Sequence, residues 1–80
     1  MSGNESNPMD NGNILPLVSL TRRETDVLRL LAKGFSTPQI AVQLGIRPDT
    51  VLGYRKQLHK KLNVNKATEL IYKAGELHLL

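Results

Sequence analysis

The amino-acid sequence predicts an all-α fold, a bundle of four short helices. Three observations support it. The pattern Thr/Ser-x-x-Glu/Gln occurs at Thr21 to Glu24 and Ser36 to Gln39, each time ahead of apolar residues at helical spacing, and this pattern marks a helix start. Gly34, Gly45 and Asn63 close three of the resulting stripes; both residue types tolerate the left-handed backbone of a helix stop. No segment alternates apolar and polar residues for long enough to make a strand.

The first helix takes Thr21 as N-cap, turns Val27, Leu28 and Leu31 inward with Leu30 flanking, and leaves Arg23, Asp26, Arg29 and Lys33 in water. The second begins at Ser36, with Pro38 in the first turn, where a missing N–H has no helical partner to lose. Its inner face is Ile40, Ala41 and Leu44, and Gly45 ends it after roughly two and a half turns. Gly45, Ile46 and Arg47 turn into the third helix, which Pro48 opens with its φ preset and Asp49 favours through the helix dipole. Arg47 holds the cap position without an acceptor, which forgoes up to about 1 kcal/mol. Val51, Tyr54, Leu58 and Leu62 form the buried stripe of this helix. The fourth is expected from Asn65 as N-cap, with Ala67, Leu70, Ile71, Ala74 and Leu77 on its inner side and a frayed end at His78.

The chain divides into a tail, residues 1–19, and a folded unit, residues 20–80. Met1 to Asn13 is rich in Ser, Gly, Asn and acidic residues, too polar to offset the entropy of ordering it, and reads as a disordered linker or tail. Ile14 to Val18 is apolar enough to dock loosely on the domain. A unit of about sixty residues is marginal on its own. There is no cysteine, and His59 and His78 have no partners at metal-ligand spacing, so a disulfide, a metal and a cofactor are all unexpected. Lack of cysteine fits a reducing cytoplasm. No run approaches the roughly 18 apolar residues of a membrane span, so no membrane partner is expected.

The formal net charge is +4, but the tail holds two of the seven acids, Glu5 and Asp10, and none of the eleven Lys and Arg. The excess of positive charge is therefore concentrated from Leu20 onward. Such an excess suits a polyanionic partner. Two short helices joined by a Gly-containing turn, the second with a cationic outer face, describe a helix-turn-helix whose second helix enters the major groove of double-stranded DNA. Residues 47–62 carry five Lys or Arg plus His59 against one acid. Positions 49, 52, 53, 56 and 60 point away from the Val51, Leu58 and Leu62 side. In the fourth helix Lys66 and Lys73 are balanced by Glu69 and Glu76. No Ser/His/Asp or Cys/His set, carboxylate pair or phosphate-cradling Gly loop can be assembled, so the sequence does not read as an enzyme.

The string LTRRETDVLRLLAKGFS from Leu20 to Ser36, with Gln-Ile-Ala at 39–41, Leu-Gly-Ile at 44–46, Thr-Val at 50–51 and Lys-Leu-Asn-Val at 61–64, closely resembles the LuxR-type DNA-binding domain. That family includes the output domains of NarL- and FixJ-like response regulators. The resemblance implies a four-helix domain whose third helix reads the major groove, a fourth helix that in many members gives a homodimer contact, and an upstream receiver or sensor domain that controls both. Carried over by position, it implies Leu52, Gly53 and Lys56 toward the bases and phosphate contacts from Thr50 and nearby cations. The full set assigned to DNA is Ser36, Thr37, Thr50, Leu52, Gly53, Tyr54, Arg55, Lys56, His59 and Lys60. A weak self-contact is assigned to Lys66, Glu69, Leu70 and Lys73, although the Leu70 and Ile71 side of the helix is mostly core.

Three positions depart from the family pattern: Leu52 where Lys is common, Tyr54 where His is common, and Arg47 in place of Ser or Thr. Leu52 cannot donate to guanine but can touch a thymine methyl, and Gly53 lets the backbone approach; neutral drift at exposed positions fits these two residues as well. Tyr54 can pack its ring on the core and extend its hydroxyl toward a phosphate. A competing reading is a protein-docking bundle for a partner such as RNA polymerase, which replacement of Arg55, Lys56 and Lys60 by Ala distinguishes from DNA binding.

Overall fold

The computed structural model describes residues 18–80; the expectations for Met1 to Asn13, and for the apolar stretch up to residue 17, lie outside it. The four expected helices are α1 (Arg22–Ala32), α2 (Thr37–Leu44), α3 (Pro48–Leu62) and α4 (Ala67–Glu76). No strand occurs among the described residues. None of their helices is long and apolar enough to cross a membrane.

Both capping boxes close as their sequences dictate. The Glu24 amide donates to the Thr21 hydroxyl at 3.1 Å while the Thr21 amide donates to Glu24 Oε1 at 2.9 Å. At α2 the Gln39 amide donates to Ser36 Oγ at 3.3 Å and the Ser36 amide to Gln39 Oε1 at 2.8 Å. Arg47, at the cap of α3, makes no side-chain cap hydrogen bond. The start of α4 differs from the expectation: Lys66, not Asn65, is the N-cap. Glu69 explains the shift, because its Oε1 accepts from the amides of both Asn65 and Lys66 at 3.2 Å. One carboxylate inside the helix thereby holds two successive amides just ahead of it, at the N-cap and the residue before.

All four helices end in the same way. A residue at positive φ (Gly34, Gly45, Asn63 and His78, at 91°, 65°, 56° and 59°) reverses the chain. The amide after it then reaches back five residues: Phe35 to the Leu30 carbonyl, Ile46 to Ala41, Val64 to His59 and Leu79 to Ala74, at 2.8–3.1 Å. This is the Schellman arrangement, in which the residue after the reversal is commonly apolar and folds back on the helix. Phe35, Ile46, Val64 and Leu79 all pack against the core. His78, expected to fray, instead forms the fourth of these corners.

The core joins Val27, Leu28 and Leu31 of α1, Ile40 and Ala41 of α2, Val51, Leu58 and Leu62 of α3, and Leu70 and Ala74 of α4. Since α3 packs on each of the other three helices, its orientation is set by the whole bundle. Two expectations for α4 need correction. Leu70, assigned to a self-contact, has 0% of its surface exposed and belongs to the core. Leu77, expected inward, is 39% exposed, because the corner at His78 carries Leu79 onto the core in its place. Val18, at the edge of the expected tail, is half-buried against the core.

Candidate nucleic-acid interface

The 3.6-residue period of α3 separates two flanks. Val51, Leu58 and Leu62 are buried, while Asp49, Thr50, Leu52, Gly53, Lys56 and Lys60 are exposed. Residues Asp49, Leu52, Gly53, Arg55, Lys56 and His59 together line a shallow depression on the outer flank. Gly53 faces open space there: a Cβ built on it meets no atom within 4 Å.

Five of the residues assigned to DNA are tied back to the fold. Arg55 is half-buried and donates from Nη1 to Thr37 Oγ1 at 2.8 Å. The bond crosses from α3 to the first turn of α2, and so holds a guanidinium beside the N-terminus of α2, where the helix dipole is positive. Ser36, one residue earlier, is exposed and uses its oxygen for the cap. His59 places Nδ1 at 3.2 Å from the Val64 carbonyl. A carbonyl only accepts, so Nδ1 carries the proton and Nε2 is left for other partners. Tyr54 is half-buried with its ring against the core.

Lys61 departs from the sequence-based picture. It was counted among the five cations of residues 47–62, yet it faces α1. Its Nζ donates to Glu24 Oε1 at 2.7 Å and to the Ser19 carbonyl at 3.0 Å. Glu24 is buried, with 6% of its side chain exposed against 33% for Lys61. Burial, the largest influence, pushes the Glu24 carboxyl up; the Lys61 hydrogen bond, the bonds from Thr21 and the charge of Lys61 together outweigh it and leave the carboxyl below its ordinary value. The same side chain thus caps α1 and anchors the end of α3. Neither role is available to nucleic acid. The outer flank of α3 retains Arg55, Lys56 and Lys60, with Arg47 exposed at its start.

On α4, Lys66 and Glu69 are exposed and Lys73 is half-buried. Sequence reasoning missed Tyr72, which is 71% exposed and lines a surface groove with Asn63, Val64, Thr68, Glu69 and Glu76. Its signal was available: Tyr72 lies three residues after Glu69 and off the core stripe.

Comparison with known proteins agrees with this architecture. The sequence pattern of GerE, bacterial regulatory proteins of the luxR family, matches residues 18–74. The transcriptional activator protein ExaE of Pseudomonas putida is 41% identical over 76 residues, which is 95% of this chain and 36% of ExaE. The solved structure of the transcription factor GerE superposes with a TM-score of 0.73 at 33% identity, covering 76% of this chain and 91% of GerE. The Vibrio cholera VqmA–ligand–DNA complex gives 0.75 at 34% identity, covering 81% of this chain and 29% of VqmA. This chain therefore spans 36% of ExaE and 29% of VqmA. These similar proteins are regulators of transcription and not enzymes. With the family pattern matched from the packed Val18 to the buried Ala74, and with the helix-turn-helix in place, the chain belongs to the luxR family of bacterial regulatory proteins.

Proposed function

We propose that this domain binds double-stranded DNA sequence-specifically and regulates transcription, with α3 laid in the major groove. One observation carries the reading: the outer flank of α3 exposes Leu52, Gly53, Lys56 and Lys60, while the opposite flank is locked into the bundle. Leu52, Gly53 and Lys56 face the bases. Thr50, Tyr54, His59, Lys60 and the Arg55 guanidinium held at Thr37, together with Ser36, serve the phosphates on either side.

The domain acts as a dimer on two half-sites about 10 to 10.5 base pairs apart. Its self-contact is weak and lies on the outer side of α4, with Lys66, Glu69 and Lys73 around the exposed Tyr72. Relatives much longer than this chain leave room for an upstream receiver or sensor domain that controls binding, and the site of action is the bacterial cytoplasm.

Selection from random duplex oligonucleotides tests the reading. If about six phosphates are neutralised, log K falls with log salt at a slope near −5. No enriched sequence, or an affinity indifferent to salt, overturns it. Docking of a protein such as RNA polymerase has one observation in its favour: Val42 is 83% exposed and lines a groove with Phe35 and Pro38. Under that reading Val42→Lys leaves DNA affinity intact and abolishes the response of a reporter gene.

A further inference from the structure

The inference made here rests on the DNA-binding reading above and names what the middle of α3 selects. Leu52 is 47% exposed on a flank whose other side chains, Asp49, Lys56 and Lys60, are charged. An apolar side chain there can satisfy neither a phosphate nor a polar base edge. The one apolar group that unmodified DNA displays in its major groove is the C5 methyl of thymine. Beside Leu52, Gly53 exposes bare helix backbone. Nothing in the fold calls for glycine at this position: its φ is not positive, and a Cβ would meet no atom within 4 Å. Gly53 lies instead in the floor of the open depression lined with it by Asp49, Leu52, Arg55, Lys56 and His59.

We propose that Leu52 and Gly53 form a socket for the C5 methyl of one thymine in each half-site. Lys56, one turn onward, donates to a neighbouring guanine N7 or O6 or to a thymine O4. Asp49, one turn back, is an acceptor suited to the amino group of cytosine. A methyl that leaves water for such a socket contributes about fourfold in affinity.

The test uses the 80-residue chain and the oligonucleotides it enriches, with each thymine replaced in turn by deoxyuridine, which removes the methyl and keeps the pairing edge. One position per half-site is expected to lose about fourfold. In the exposed-site variant Leu52→Ala, thymine and deoxyuridine duplexes bind alike at that position, whereas Lys60→Ala weakens both by the same factor. Changing cytosine to 5-methylcytosine there adds a similar factor, because the same methyl is restored, and tighter binding by thymine assigns thymine as its source. Specific binding with no sensitive thymine, or sensitivity that survives in Leu52→Ala, overturns the socket and leaves the DNA-binding reading standing. Failure to enrich any duplex overturns both.

Discussion

From Leu58 to Val64, α3 and the corner after it are fastened on several sides: Leu58 and Leu62 are buried, Lys61 reaches Glu24 and Ser19, and Val64 closes the corner on His59. From Pro48 to Lys56 it is fastened by Val51, Tyr54 and the Arg55–Thr37 hydrogen bond, its cap makes no side-chain bond, and Gly53 interrupts its surface. The contrast shows a helix held by one end and offered by the other. Both halves are buried on one side, but the half toward α1 makes more of the hydrogen bonds back to the fold, and the half with the uncapped start is the one proposed to meet DNA.

The harshest way to break this contrast is to empty the anchored half. Leu58→Ala is expected to cost about 3 kcal/mol, comparable to the whole stability of a domain of this size, so urea unfolding should start from a variant already partly unfolded at ambient temperature. Lys61→Met comes next. It strands the buried Glu24 carboxylate and should cost about 2 kcal/mol at neutral pH, measured by the same titration.

That pair also sets an acid limit. The folded Glu24 value lies below its unfolded one, so the stabilisation is fully present above the ordinary glutamate range. It is lost as pH falls through the lowered folded value. Glu24→Gln should flatten this acid limb in unfolding curves taken at a series of pH values.

Changes in the offered half are smaller and of opposite sign. Gly53→Ala fills open space in a helix and should stabilise by about 1 kcal/mol, while DNA retention falls. A gain in both stability and affinity would remove any functional reason for the glycine. The smallest change is at a corner: His78→Gly relieves a left-handed residue and should add up to about 1 kcal/mol, read as a higher Tm without change in DNA affinity.

What the sequence disclosed, and what it withheld, follows from distance along the chain. Thr21 with Glu24, Ser36 with Gln39, and the stops at Gly34, Gly45 and Asn63 are agreements among residues within one or two helical turns, so they could be seen directly. The outer flank of α3 was visible for the same reason, through its period. Arg55 with Thr37 spans 18 positions and Lys61 with Glu24 spans 37. No local rule joins such pairs, which is why Lys61 was counted with the DNA-facing cations. His78 escaped notice because histidine is an unusual left-handed residue, and the apolar Leu79 behind it is the better signal. On helix four a period alone does not divide one face between core and surface contact; the geometry gives the core to Leu70 and the outer side to Tyr72.

The four corners carry a further consequence for how the domain comes apart. Since Phe35, Ile46, Val64 and Leu79 each belong to a turn and are half-buried against the core, opening any corner withdraws a packed apolar side chain along with its backbone bond. Local fraying is therefore coupled to global melting, and amide protons at the turns should exchange with solvent nearly as slowly as those of the helices they join.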